Sequence, residues 1–220
     1  MARPRGTDAS GATTRSRILA AAMRQIAERG YGGMRLAEVA VDAGVSLGLV
    51  QHYFGTRAGL LQAAFDAGTE VNLRRARAIA DGPGTPAERL AALLEWGTAE
   101  IDPADGSWEF WFEFWLAALR EPELSLRNRA GDQGWQQAFR TVLADGVADG
   151  SFAPAGTPEQ VAAKLVTLLD GTMLRRMLGS QGADVDLDWA VAQFVRPTAA
   201  RGRQRRASRP ASRRAPTTSG

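Results

Sequence analysis

Apolar positions recur at three- and four-residue intervals along most of this chain, and strand-like alternation of apolar and polar residues is absent. Over residues 34–57, MRLAEVAVDAGVSLGLVQHYFGTR, the pattern resolves into two short helices joined by a tight turn. Leu36, Val39, Ala40 and Ala43 share one face at i, i+3, i+4 and i+7. Ala40 is small, as a close helix crossing requires. Gly44 is the residue type that takes a left-handed C-cap without steric cost. Val45 plugs the corner, and Ser46 can N-cap the next helix by accepting a backbone N–H. In that helix Val50 points inward, while Leu47, Gly48, Leu49, Gln51 and His52 face outward. This is a helix–turn–helix, which presents the exposed N-terminal part of its second helix to the DNA major groove.

Elsewhere the periodicity predicts a first helix over about 13–29, with Ile18, Ala22 and Ile26 on one face and Gly30 stopping it. A fourth helix starts at Thr56 or Arg57, turns Leu60, Leu61, Ala64 and Phe65 inward, and runs to about Ala80. Thr85-Pro86-Ala87-Glu88 and Thr157-Pro158-Glu159-Gln160 each put Thr at N-cap, Pro at N1 and Glu or Gln at N3, the arrangement of a capping box. Between them the pattern predicts a helix near 104–120 and another from about Pro122 to Gly150, open to interruption around Gly131–Gly134. The Thr157 helix reaches about Leu178, and 186–196 forms a short last helix. From Pro197 on, Arg, Ser, Pro, Ala and Gly leave nothing to bury, and disorder is expected.

Composition narrows the class. A chain of 220 residues, 45% hydrophobic, can bury a sizeable core. Zero cysteines exclude disulfides and thiolate chemistry and fit a reducing cytoplasm. No apolar run approaches a membrane span, and the first residues lack a hydrophobic signal core, so a cytoplasmic protein with no membrane partner is expected. The net charge of +3 hides an asymmetry. Residues 1–57 carry eight arginines against four acids, 58–195 eleven basic against twenty acidic residues, and 196–220 eight arginines and no acid. Basic ends around an acidic body suggest a nucleic-acid-facing region beside one that does not bind DNA.

Residues 18–65 resemble the TetR family of transcriptional regulators through the gap-free signature AGVSxGxxxxYFxxRxxL. Within that family, HYFGxxxGLL and the later WEFWFEFWLAALREPEL resemble the BetI-like branch, whose best-known member represses glycine betaine synthesis. The resemblance implies an all-α chain: an N-terminal three-helix helix–turn–helix DNA-binding domain, then a helical ligand-binding and dimerisation domain. The expected division is a disordered basic arm at 1–11, the DNA-binding domain at 12–72, the effector-binding and dimerisation domain at 73–196, and an Arg-rich tail at 197–220. It also implies phosphate contacts from Tyr53 and Arg57. Family members usually carry threonine, as a helix cap, where this chain has Arg35, and many carry tyrosine at Gln51. Base preference therefore cannot be borrowed.

From the residues themselves, Gln51 is the candidate base reader, since its amide can pair with adenine N6 and N7. Leu49 suits a thymine methyl, Gly48 permits close approach of the backbone, and Ser46 at the helix N-terminus suits phosphate, as Arg35 does. His52 is the sole histidine and has no second His, Cys or acid cluster nearby to support catalysis or metal binding, so a DNA-facing or surface role is expected. Arg3 and Arg5 fit either a minor-groove arm or a solvated end.

The aromatic block puts Trp108, Trp111, Phe112 and Trp115 on one helical face and Phe110 and Phe114 on another. Two readings stand. Most of these rings are core and dimer packing, as aromatic stripes at helical spacing usually are. Alternatively the Trp faces, with Trp96 and Trp135, wall an effector pocket for a quaternary ammonium or other cation, with Glu109 or Glu113 adding charge. Val161, Leu165, Leu168, Leu169 and Thr172 form one further stripe and Leu187, Val191 and Phe194 another. These predict a four-helix homodimer interface, unless the stripes pack within one subunit.

Together these features predict a homodimeric repressor bound to double-stranded DNA at an inverted-repeat operator and released by a small-molecule effector, with no cofactor and no metal. A non-specific nucleoid-like binder driven by the Arg-rich tail is the alternative, as is an activator. An enzyme using Glu109, Glu113 or Asp170 is disfavoured, because nothing pairs with them at a recognisable spacing.

Overall fold

The computed structural model describes residues 7–180 and 187–198. Among these the chain is helical, and its one extended pairing is an isolated antiparallel bridge between Phe152 and Pro197. The elements are α1 (Thr7–Gly33), α2 (Leu36–Asp42), α3 (Leu47–Phe54), α4 (Arg57–Ala80), α5 (Pro86–Thr98), a 3-10 turn (Pro103–Asp105), α6 (Trp108–Ala118), α7 (Pro122–Ala148), α8 (Pro158–Met177) and α9 (Leu187–Ala190), followed by a π turn (Val191–Val195). No described helix is long and apolar enough to cross a membrane. The expected disordered tail lies outside the described residues from 199 on, as do Arg3 and Arg5. Of the expected disordered arm, Thr7–Gly11 already belong to α1.

Local chemistry sets the boundaries. α1 loses helical geometry at Gly30 (φ 73°, ψ 161°), where the sequence predicts its stop. Both capping boxes form: Thr85 with Glu88 opens α5, and Thr157 with Gln160 opens α8. Thr85 donates its backbone N–H and its hydroxyl to the Glu88 carboxylate, holding it below the usual carboxylate range. α7 runs unbroken through Gly131 and Gly134. A Cβ on Gly134 would lie 2.5 Å from Leu73 Cδ1, so this glycine serves the close crossing of α4 on α7 and does not end a helix.

Buried side chains form two clusters. One joins Ile18, Ala22 and Ile26 of α1, Val39 and Ala40 of α2, Val50 of α3 and Leu60, Leu61, Ala64 and Phe65 of α4 to Phe110 and Phe114 of α6. The other joins Ala76 and Ala80 of α4 to α5, α7, α8 and Val195. α4 thus belongs to both cores, and α6 packs with the helix–turn–helix although the chain assigns it to the body.

The expected dimer stripe is corrected here. Val161, Leu165, Leu169 and Thr172 are fully buried within one chain, among the side chains of α5 and α7, and Leu168 is half-buried. Helical spacing identifies a covered face but not what covers it, and here the cover is the same subunit. Val191 and Phe194 also pack partly on this core, while the side chain of Leu187 lies outside the described residues. The exposed side of α8 instead carries Thr167, Gly171 and Leu174, which also border a cavity, with exposed Leu178 just past its end.

Gly146 is the tightest contact in the second core, since a Cβ there would lie 2.1 Å from Cδ2 of the Phe152 ring. Phe152 is itself buried, so its ring has little room to yield. We expect Gly146→Ala to cost about 1–3 kcal/mol through overpacking, read as a lower midpoint in thermal or urea unfolding.

Candidate nucleic-acid interface and ligand cavity

α2 ends in a Schellman arrangement. Gly44 (φ 63°) donates to Val41 O at 3.0 Å, and Val45 donates to Ala40 O at 2.9 Å. Arg17 of α1 adds a cap the sequence reading missed: its guanidinium donates to the carbonyls of Ala43 and, at 3.1 Å, Gly44. A cation at a helix C-terminus also complements the helix dipole. Ser46 then caps α3, its Oγ accepting from Leu49 N at 3.2 Å. Val50 is fully buried and fixes the rotation of α3. That rotation leaves Leu47, Gly48, Gln51, His52 and Tyr53 exposed on the outer side, with Leu49 half-buried. The helix therefore offers one apolar edge, one amide and its free N-terminal N–H groups, which is what groove readout and phosphate contact use.

Two candidate phosphate contacts already have partners. Arg57, the first residue of α4, stacks over the Tyr31 ring at 4.7 Å and donates to Gly32 O at 3.2 Å. It remains exposed, with further N–H groups to offer. Arg35 occupies the N-cap of α2 without any side-chain cap bond, as expected where arginine replaces threonine. Its guanidinium lies 3.8 Å from Glu38, which also pairs with Arg29. The rings of His52 and Tyr53 meet edge-on at 5.7 Å.

The aromatic block divides as its spacing implies. Phe110 and Phe114 are fully buried core. Trp108, Trp111, Phe112 and Trp115 are half-buried and line a cavity of about 670 Å³, together with Trp96 of α5 and Trp135 of α7. Phe110 and Phe114 are core alone, Trp111 and Trp115 both pack on that core and face the cavity, and Trp108 and Phe112 share the cavity with Trp96 and Trp135. The expected charges do not come from α6: Glu109 is exposed, and Glu113 turns to the end of α1, where it accepts from Tyr31 N. They come instead from Asp132 of α7 and Asp170 of α8, and among the described residues no basic side chain lines this cavity.

Burial pushes the Asp170 carboxyl up to about 6, and repulsion from Asp132 adds to the rise. Asp132 is raised too, first by burial, with a hydrogen bond from Gln136 Nε2 at 2.8 Å acting against it. Trp96 Nε1 and Thr69 Oγ1 are buried in the same wall without a hydrogen-bond partner among the described residues. The sequence held one signal for Asp170, an acid directly after Leu168 and Leu169 on a helix. Nothing in it tied Asp132 to the same space.

Residues 18–64 match the family model described as bacterial regulatory proteins, tetR family, and residues 86–205 the model described as BetI-type transcriptional repressor, C-terminal. The HTH-type transcriptional regulator BetI 1 of Chromohalobacter salexigens is 29% identical over 200 residues, spanning 84% of this chain and 92% of that protein. A BetI regulator of Stenotrophomonas maltophilia is 33% identical over 120 residues, spanning 54% and 61%. Among solved structures, a putative transcriptional regulator from Saccharomonospora viridis in complex with choline superposes with a TM-score of 0.74 at 25% identity, covering 84% of this chain and 98% of that one. A TetR transcriptional regulator from Chloroflexus aurantiacus gives 0.69 at 25%, covering 86% and 100%.

Removing the α3 cap by Ser46→Ala should cost about 1 kcal/mol, seen as a lower unfolding midpoint. Asp170 makes a second measurable difference. Its folded-state value is raised above the ordinary 3.8, so the folded chain holds this proton more tightly than the unfolded one. Stability from this group is present at low pH and falls as pH rises from about 4 to about 6. Asp170→Asn should flatten that part of the curve of unfolding free energy against pH; a variant curve as steep as the wild type's would contradict the assignment.

Proposed function

The chain belongs to the TetR family of bacterial transcriptional regulators, with a BetI-type C-terminal domain, and from that premise we propose a repressor released from its operator when a small organic cation enters the aromatic cavity. One observation carries the reading: seven aromatic residues and two carboxylates, with no basic residue among the described ones, line a single cavity beside α6, which also packs into the core of the DNA-reading head. Aromatic faces attract cations through their quadrupole, most strongly where water is excluded. The carboxylates supply the matching charge. The choline held by the Saccharomonospora viridis regulator makes quaternary ammonium compounds the first class to test.

On the DNA side, the exposed edge of α3 enters the major groove. Gln51 reads a base, Leu49 meets a thymine methyl, and Leu47, Gly48 and His52 line the approach. Ser46, Tyr53, Arg35 and Arg57 take the phosphates. Two copies associate through the outward face of α8, where Gly171 has open space around its Cα and Leu174 and Leu178 are exposed, together with the exposed Trp189 of α9. A two-fold pair presents two reading helices, so the operator is an inverted repeat. A ligand releases such a pair only by preferring the DNA-incompetent arrangement.

Two measurements test this. Fragments of sheared genomic DNA retained by the purified protein at physiological salt should share an inverted repeat. Retained DNA without a shared site would favour non-specific binding through the Arg-rich tail. Calorimetry with choline should show binding that weakens on acidification, because a cation prefers ionised Asp170, whose carboxyl titrates at about 6. We expect roughly tenfold lower affinity at pH 5 than at pH 7.5, and an acid dependence that disappears in Asp170→Asn. No binding of choline or betaine aldehyde at millimolar concentration would end the cation reading.

A further inference from the structure

We propose that Glu113 is the joint through which the cavity acts on the reading head, a positioning residue whose carboxylate fastens the end of α1 and, through Tyr31, the seat of Arg57. The proposal rests on the effector-responsive reading above but names a contact which that reading does not require.

Glu113 lies on α6 between Phe112, which lines the cavity, and Phe114, which is core. Its Oε2 accepts from Tyr31 N at 2.9 Å, across 82 positions of chain. The approach depends on Gly30. That residue takes φ 73°, and a Cβ on it would lie 3.1 Å from Glu113 Oε2 and 3.3 Å from its Cδ. Glycine thus both breaks α1 and bares its end to the carboxylate. A bond from a backbone N–H to a carboxylate is charge-assisted and about twice as strong as a neutral one.

The same turn holds the start of α4 on its other side. The Tyr31 ring lies 4.7 Å beneath the Arg57 guanidinium, and Gly32 O accepts from Arg57 Nη1 at 3.2 Å. Arg57 follows directly on Gly55, which caps the end of α3, and Thr56, which caps the start of α4. Residues 30–32 are therefore a hub gripped by α6 from one side and by the reading head's exit from the other. Trp111 and Phe112 directly precede Glu113 on a single helix, so a ligand that displaces these rings moves the carboxylate with them. Packed helices shift as units, and a hydrogen bond is lost within a few tenths of an ångström beyond its normal range. The carboxylate is then a transmitting group, while the neighbouring Glu109 is exposed on the surface.

The test compares wild type, Glu113→Ala and Glu113→Gln as full-length proteins on an operator fragment recovered by the selection described above. The first readout is the ratio of operator Kd with and without saturating choline. We expect roughly tenfold or more in the wild type, below about twofold in the alanine variant, and a ratio within about threefold of wild type in the glutamine variant, which keeps an acceptor oxygen. The second readout needs no effector. Coupling is reciprocal, so operator binding should alter the emission of the cavity tryptophans in the wild type and the glutamine variant but not in the alanine variant. If the wild type shows the tryptophan change without a choline response, the cation reading fails and the joint stands. A wild-type ratio or tryptophan change retained in Glu113→Ala overturns the proposal, as does loss of both in Glu113→Gln or the absence of any DNA-induced tryptophan change in the wild type. If the alanine variant does not fold by circular dichroism, Tyr31→Leu takes its place: it keeps the amide but removes the seat of Arg57. It must lower the same ratio, and an unchanged ratio overturns the relay.

Discussion

Phe65 is the side chain on which the two halves of this molecule depend. It projects from α4, stacks on Phe114 with ring centroids 3.6 Å apart and planes 10° from parallel, and meets Trp111 edge-on at 5.2 Å. Its burial contributes about 1.5–3 kcal/mol, and each favourable ring pair adds roughly 0.5–1.5 kcal/mol. Near face-to-face overlap is not the arrangement aromatic quadrupoles prefer, so the close packing of its core neighbours Leu61, Ala64 and Phe110 holds it there. The same ring also forms part of the cavity wall. The reading head therefore completes its core only with α6 in place, and α6 cannot move without disturbing the packing that sets the head's orientation.

The helix–turn–helix was legible because its signals are local. Gly44 at a left-handed cap, Ser46 at an N-cap and Val50 on the inner face each act within a few residues, and all three do in the structure what their chemistry allows. The two Thr-Pro capping boxes were legible for the same reason. Where the reading failed, the deciding information was tertiary. The stripe from Val161 to Thr172 is apolar because something covers it, but the period of a helix does not distinguish a neighbouring helix of the same chain from one of a second copy. Gly131 and Gly134 read as a break because isolated glycines weaken helices. Both sit inside an unbroken α7, and at Gly134 α4 crosses at a distance only a bare Cα permits.

The charges of the cavity were misassigned for a related reason. Glu109 and Glu113 lie within the aromatic block, so proximity in sequence suggested proximity in space. A residue's helical face depends on rotation, and a shift of one position moves it by about 100°. That rotation carries Glu109 to the surface and Glu113 to α1, while Asp132 and Asp170 arrive from two helices far along the chain. Arg17 was invisible for the same reason, since its cap on α2 spans 26 residues and has no spacing signature.

An effector switches a protein only by favouring one of its arrangements, and the buried carboxylates provide a physical source of that preference. At neutral pH, Asp132 and Asp170 share a cavity whose described lining offers neither of them a cationic side chain. Enclosing them while ionised costs free energy in any arrangement that brings them together and excludes water. A bound cation cancels that cost only where both carboxylates and the aromatic faces converge on it. An arrangement that splays α7 and α8, or swings α6 away, forfeits the compensation. For the cation-released repressor proposed above, burying two like charges in an aromatic wall is the source of the differential affinity that release demands, and rigid packing through Phe65 and α6 is the route from cavity shape to orientation of the reading head.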